Sequence, residues 1–353
     1  MASTFACQPD LELASLHITP VAFSGTREAV SREEGKGIRK WMPTRVRTAI
    51  RQWLGPLTLP GASEGLQAVL DAVQPDLVHA MRIPYEGMLA ARADPHAPLV
   101  ISVWGNDFTL HARTTPWMRQ ATERTLMRAD ALHSDTQRDL LLASDWGFEP
   151  TKPGVVLPGA GGIQLSLFHP PDSAPGPVVI NPRGLRAYVR NDTFFKAIPL
   201  VLAQIPEARF LCPSMQGAPE AERWVERLGI TSAVDLFPPL ERAEMANLFR
   251  QSRVAVSPSV HDGTPNTLLE AMACGCFPVA GDIASLREWI KAGENGLLVN
   301  PADPQALAAA ILTALGDTEL RQTAQKQNLA LVRERAEYHG IMHKALHFYQ
   351  SLL

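Results

Sequence analysis

Residues 253–288, RVAVSPSVHDGTPNTLLEAMACGCFPVAGDIASLRE, limit what this chain can fold into more than any other stretch. They open on an apolar run, Val254-Ala255-Val256, which reads as a buried strand. A polar loop from Ser257 to Asn266 leads into a helical pattern from about Thr267 to Cys274, stopped by Gly275. A second apolar run, Phe277 to Ala280, ends at Gly281-Asp282. The order strand, loop, helix, strand is that of a βαβ unit. Its loop carries Asp262, and eight residues later its helix carries Glu270. Between them the backbone opens a helix, where unpaired N–H groups and the helix dipole favour an anion such as phosphate. Ionised carboxylates are strong acceptors for sugar or ribose hydroxyls. The loop therefore suits a sugar phosphate. The plainer alternative is an ordinary βαβ unit with a solvated Asp and a Glu at a helix start.

Asp262, seven further residues and then Glu270-Ala271-Met272-Ala273-Cys274-Gly275 resemble the E-x7-E motif of the family 4 (group 1) retaining glycosyltransferases, with Asp in place of the usual first Glu. The resemblance implies the GT-B fold, an α/β architecture of two Rossmann-like domains facing across a cleft. It also implies a nucleotide-diphosphate sugar as donor. On this reading Asp262 orients the transferred sugar, and Glu270 binds the ribose hydroxyls. Gly263 lies in the donor loop, and the amides of Thr264, Asn266 and Thr267 face the diphosphate. The family neutralises that diphosphate with an Arg and a Lys. Arg183 fits the Arg, and Arg190 stands where the Lys is expected, at slightly altered spacing, with Lys196 as a fallback. Arg for Lys keeps the charge but changes the geometry. The loop Pro238-Pro239-Leu240 corresponds to the one that holds the base through its backbone.

A chain of 353 residues suits about two domains. The expected bounds are 1–162 for an acceptor-side domain, 163–335 for the donor domain and 336–353 for a C-terminal helix returning to the first. Net charge is only -3, which gives no footing for a nucleic-acid partner. Cys7, Cys212, Cys274 and Cys276 lack zinc-type spacing and read as reduced. With no signal peptide and no bilayer-length apolar run, a cytoplasmic protein is expected. No Asp-x-Asp loop or His cluster suggests a metal, so neither metal nor other cofactor is expected.

The first domain departs most from the family. Its Gly-rich opening loop is missing, and MASTFACQPDLELASLHITPVAF is closer to the family's second and third strands. One reading is a domain lacking its first βα unit. The other is a shortened opening in which Ser3–Cys7 is itself the first strand. Residues 24–55 are basic, and from Thr44 to Leu54 a helical face gathers Val46, Ile50, Trp53 and Leu54, with Arg47 and Arg51 away from it. Residues 36–54 could thus form a peripheral membrane contact, or a helix packed on its own domain. A helix is predicted over Ser63–Val73, followed by PDLVHA, which is similar to the family's P-D-x-V-H-x-H with Met81 for the second His. Strands are predicted at Leu99–Val103 and Ala131–Ser134. After the first of these, Trp104-Gly105-Asn106-Asp107 replaces the His of the family's His-Gly-x-Asp. Asp107 is expected to contact an acceptor hydroxyl or to cap a helix. Trp104 is expected to stack on a sugar or to be buried.

In the second domain a helix is predicted from Asp192 as N-cap, another over Ser285–Ile290 and a third from Asp303 to Leu315; the C-terminal helix is predicted over Tyr338–Leu353. The function implied is transfer of a sugar, with retention, to a glycan or lipid-linked acceptor. The alternatives are a GT-B-like protein that binds a nucleotide sugar or a partner without turnover, and a nucleotide-sugar epimerase.

Overall fold

The computed structural model describes residues 44–158 and 161–353, with side chains from Ile50 onward. The expectations for residues 1–23, including the missing βα unit, and most of the basic stretch lie outside the described residues. The chain forms two compact α/β units. One ends at Val156 and takes in Ala345–Leu353; the other spans Leu157–Lys344.

Among the described residues, the first unit starts with α1 (Thr44–Val73), a single 30-residue helix that carries Pro56 and Pro60 in its interior. The separate helix predicted at Ser63 is therefore the second half of a longer one. Proline lacks an N–H, so Pro56 leaves the carbonyl of Gln52 without its helical donor. The Thr115 hydroxyl takes up that role at 3.3 Å. One residue earlier, the Tyr85 hydroxyl donates to the carbonyl of Arg51 at 2.7 Å. These donors from neighbouring loops let the helix continue through a sequence that would otherwise break it. The apolar face expected near its start is turned outward: Trp53, Leu54 and Leu57 are exposed, whereas Leu59 and Leu66 are buried. Arg51 is not on the solvent side as expected, since its guanidinium lies 4.5 Å from the Tyr85 ring centre. The tyrosine reaches it because residue 55 is Gly; a Cβ there would sit 2.3 Å from the ring.

The sheet of this unit runs β1 (Val78–Ala80), β2 (Leu99–Val103), β3 (Ala131–Ser134), β4 (Gly154–Val156), all parallel and in chain order. Every residue of β2 is buried, as a parallel strand covered on both faces requires. Helices α2 (Met88–Ala93), α3 (Pro116–Arg128) and α4 (Gln137–Leu142) connect the strands. The Thr115 and Thr136 side chains cap α3 and α4, and Gly147 ends the turn after α4 at φ +96°.

The second unit carries β5 (Val178–Ile180), α5 (Asn191–Leu202), β6 (Arg209–Cys212), α6 (Pro219–Arg227), β7 (Val234–Leu236), α7 (Arg242–Gln251), β8 (Val254–Ser257), α8 (Asn266–Ala273), β9 (Phe277–Gly281) and β10 (Leu297–Val299). Helices α9 (Pro304–Gly316), α10 (Thr318–Ala336) and α11 (Tyr338–Gln350) follow, the last passing at Ala345 into the residues counted with the first unit. The parallel sheet has the order β10-β9-β8-β5-β6-β7. This is the doubly wound order, in which the chain reverses direction between its first and fourth strands, here β5 and β8. Phe194, Phe195 and Phe210 pack on one face of the sheet and Leu269, Met272 and Trp289 on the other.

Three local expectations are corrected. Asp192 is not the N-cap of α5: the helix begins at Asn191, and Asp192 instead accepts from Arg190. The helix predicted at Ser285–Ile290 is one short turn, Leu286–Glu288. The 19-residue α10 was not predicted, because its apolar positions are few and its buried face is built mainly on Ala324, Asn328, Val332 and Ala336. The cap at Asp303 is present, accepting from the N–H groups of Gln305 and Ala306.

Candidate functional site

In a doubly wound sheet, ligands bind beyond the carboxyl ends of the strands, at the point where strand order reverses. Two loops leave the sheet there. Strand β5 runs into Asn181-Pro182-Arg183, and β8 runs into the loop that carries Asp262 and opens α8. The topology alone therefore brings together two residues that lie 79 positions apart. Arg183 Nη2 is 2.7 Å from Asp262 Oδ2, with side chains 7% and 11% exposed. Arg183 Nη1 also donates to the Thr267 hydroxyl at 3.2 Å, and its Nε is buried with no partner. Burial pushes the Asp262 carboxyl above the ordinary range. Arg183, the Ser259 hydroxyl, the Gly263 N–H and the charge of Arg186 oppose that shift. The loop is held from behind, where the Ser285 hydroxyl donates to the Asp262 carbonyl at 2.8 Å.

The first N–H groups of α8 have no partner within the helix, as at any helix start. They belong to Asn266 and Thr267, beside Arg183. Asn266 Oδ1 is buried without a partner. The Thr264 hydroxyl accepts from Trp289 Nε1 at 2.9 Å. Glu270 follows on α8, 13% exposed, with Arg242 at 3.7 Å. Burial raises the Glu270 pKa, and Arg242 counters it. Leu240 packs against the core on the α8 side of the sheet.

Arg190 is placed differently from Arg183. Its Nε and Nη2 donate to Asp192 at 2.8 and 2.9 Å, and it is 37% exposed. Lys196 stands 3.6 Å from the same carboxylate. Sequence reasoning missed Arg186, which acts electrostatically on Asp262 and whose Nε donates to the Arg183 carbonyl at 3.0 Å. It also missed Arg242 beside Glu270. Arg186 is one of two arginines in GLRAYVR, and nothing in that run separates it from Arg190.

In the first unit, Asp107 is fully buried. Its Oδ1 accepts from Arg82 at 3.0 Å, and its Oδ2 accepts from the N–H groups of Ile83 and Trp104 at 3.2 and 3.1 Å. It caps no helix; it ties the turn after β1 to the turn after β2. Burial raises its pKa, against the pull of Arg82. Trp104 is 42% exposed, which removes the buried-Trp alternative. The Arg82 guanidinium lies 5.4 Å from the Trp104 ring centre. A second polar group crosses the sheet: His79 Nδ1 meets the Tyr349 hydroxyl at 2.7 Å, His79 Nε2 meets Ser102 Oγ at 2.8 Å, and that oxygen meets His133 Nδ1 at 2.9 Å. Burial, with His133 adding to it, lowers the His79 pKa to about 3; burial lowers that of His133 to about 4.

Comparison with known proteins matches two family models. Residues 178–317 match "Glycosyl transferases group 1", and residues 11–159 match "Glycosyl transferase 4-like domain". The chain is similar to a D-inositol 3-phosphate glycosyltransferase of Geodermatophilus obscurus, 30% identical over 58% of this chain and 50% of that protein. The protein of the same name from Streptomyces scabiei is 26% identical over 69% of this chain and 55% of its own length. The chain thus spans about half the length of these curated relatives. Among solved structures, a sucrose-phosphate synthase from Thermosynechococcus elongatus aligns with TM-score 0.71 at 21% identity, over 86% of this chain and 79% of that one. Anabaena Alr3699/HepE in complex with UDP and glucose aligns with TM-score 0.69 at 18% identity, over 84% and 83%. At these identities the likeness is one of fold.

Proposed function

We propose that this chain, which belongs to the group 1 glycosyltransferases, moves a sugar from a nucleotide-diphosphate sugar to a hydroxyl of a glycan or lipid-linked acceptor, with retention at the anomeric carbon. The observation that carries this reading is the Arg183–Asp262 pair at the opening of α8, with Thr267 on the arginine and Glu270 further along the helix. Its chemical sense lies in charge. The bond that breaks leaves negative charge on a diphosphate, and preorganised positive groups aimed at developing charge are commonly the largest catalytic term. Arg183, with Nε still unpartnered, and the α8 amides supply them. The donor sugar takes over Asp262, which orients it through its hydroxyls, and Glu270 receives the ribose. UDP or UDP-glucose is held by the Anabaena neighbour, which supports a nucleotide-sugar donor.

The acceptor attacks from the face the diphosphate leaves, and the leaving phosphate takes the acceptor proton, so no separate base is required. Metal-independent transfer is part of the proposal, with arginines and amides carrying the charge. Exposed Trp53, Leu54 and Leu57 on α1 support peripheral contact of residues 36–54 with a membrane. The described cysteines are buried thiols, which suits a reducing cytoplasm.

The test is a thermal-shift panel of nucleotide sugars, followed by incubation of the best binder with candidate acceptors and assignment of the product anomer by NMR. A product with the donor's anomeric configuration is expected. An inverted product would remove the retaining mechanism. Binding without transfer or hydrolysis would favour the non-catalytic reading, which Trp104 at the position of the family's His supports. A donor converted to its epimer would favour the epimerase.

A further inference from the structure

In the first unit, unpartnered polar atoms converge beyond the carboxyl ends of β1 and β2, on the side of an open α/β sheet where ligands bind. Arg51 Nε, Arg82 Nε and Glu86 Oε2 are all buried without a hydrogen-bond partner. They come from three segments, namely α1 and the two halves of the turn that follows β1. Tyr85, whose ring lies under Arg51, stands between Arg82 and Glu86 in that turn, and the charges of Arg51 and Arg82 both act on Glu86 and on His111. Burial comes first in lowering the His111 pKa to about 4, and the two arginines add to it, so His111 stands neutral at pH 7. Asp107 already has both oxygens filled. The exposed Trp104 ring flanks Arg82.

The turn that presents these groups is strained. Tyr85 has φ 72° and ψ −55°, a γ-turn conformation that is rare and strained for a non-Gly residue. That geometry places the Tyr85 ring under Arg51, with Glu86 next in the chain. Buried polar atoms without partners are costly and uncommon in a native fold, and a ligand that supplies the partners removes the cost. The complement of two arginine donors and one carboxylate acceptor is a molecule with an anion and a hydroxyl close together.

We propose that this cluster is an acceptor subsite for a polyhydroxylated molecule bearing a phosphate or carboxylate. Arg51 and Arg82 hold the anionic group, Glu86 accepts from a hydroxyl, and Trp104 covers one face of the ring. The name acceptor rests on the glycosyltransferase reading; the binding chemistry does not.

The experiment titrates the purified chain with glucose 6-phosphate, glucuronate and glucose, read by thermal shift, with UDP in a separate arm. One or both anionic sugars raise the melting temperature at millimolar concentration, and glucose at the same concentration does not. Arg51→Gln, which removes no ion pair among the described residues, weakens the anionic sugar about tenfold. Glu86→Gln keeps an acceptor oxygen for the hydroxyl but removes the carboxylate charge that competes for the two arginines, and so tightens the anionic sugar, a gain that misfolding cannot imitate. Neither substitution changes the UDP arm. Equal protection by glucose, anion binding unchanged in both variants, or protection by none of the three sugars overturns the proposal. Failure of UDP alone, with the sugar result intact, counts against the donor reading and leaves this subsite standing.

Discussion

Arg183 and Asp262 form a nearly buried ion pair, 2.7 Å between Nη2 and Oδ2, across the point where the second sheet reverses its strand order. Neither charge can be removed without leaving the other in a poorly solvated position. Asp262→Ala is expected to destabilise the second unit by about 3–5 kcal/mol, because it strands Arg183. Asp262→Asn keeps an acceptor oxygen for the arginine and for the Gly263 N–H. It should cost less stability while lowering transfer by roughly 10²–10³-fold, the range for losing one electrostatic element of such a site. Denaturant melts and initial rates on both variants separate the two effects. If Asp262→Asn transfers at the wild-type rate, the carboxylate has a structural role alone.

Arg190 and Arg186 exchange the importance that sequence spacing assigns them. Arg190 is half in solvent and spends two guanidinium nitrogens on Asp192. Arg186 acts on Asp262 and bonds the Arg183 backbone. Arg186→Ala is expected to raise the donor KM several-fold more than Arg190→Ala, since a charge that acts on Asp262 contributes more to a donor bound there than one neutralised at the surface. Measuring donor KM and UDP affinity for both variants checks this; a larger effect at Arg190 restores the spacing-based assignment.

The contrast shows what could be read in the sequence. Local pattern sufficed for the buried strands, where an apolar run such as Leu99–Val103 has one stable environment, and for Asp303, whose cap is set by its neighbours in the chain. That Arg183 and Asp262 belong to one site was legible only through the resemblance, and their direct pairing was not legible, because contact between residues 79 apart is a property of strand order. The partner of each arginine was not legible. Whether Arg190 faces a ligand or Asp192 depends on where α5 starts, and the helix started one residue before the expected cap. Helix α1 was read as two pieces for a similar reason, since Thr115 and Tyr85, which support it through Pro56, lie far along the chain.

His79 and His133 set an acid limit on the first unit. Both have folded pKa values, about 3 and about 4, below the ordinary histidine value of 6.5. Between pH 6.5 and about 4 the unfolded chain takes up protons on these residues that the folded chain refuses. Stability is full above pH 6.5 and falls as the pH drops, by at most about 1.4 kcal/mol per pH unit for each histidine. Asp107 and Glu86, with raised folded pKa values, work in the opposite direction on acidification. The difference between wild type and His79→Gln isolates the histidine contribution. The glutamine variant should lose less melting temperature between pH 7 and pH 5 than wild type, with Tyr349→Phe keeping the wild-type slope. Parallel pH profiles for wild type and His79→Gln would remove His79 from the account.

Gly281 ends β9, and its neighbour in space is the loop of Asp262. A Cβ at this position would lie 2.3 Å from the Ser259 carbonyl oxygen and 3.2 Å from its nitrogen. Those are backbone atoms of a loop tied on one side to β8 and on the other to Ser285, so they cannot swing away as a flexible side chain would. Gly281→Ala adds no charge and removes no functional group, so any loss of activity comes from moving the loop. The Asp262 carboxylate accepts from the Ser259 hydroxyl, and a shift of Ser259 misplaces that oxygen against Arg183. Overpacking of this kind costs about 1–3 kcal/mol, and a misplacement of about 1 Å in a catalytic group costs roughly 10²-fold in rate. Gly281→Ala is therefore expected to lower kcat well beyond what its change in melting temperature explains, while Gly217→Ala, with open space around it but a positive φ of 72°, loses some stability and keeps its rate. Wild-type turnover in Gly281→Ala would mean that the loop tolerates displacement, and that Asp262 does not need the position it holds here.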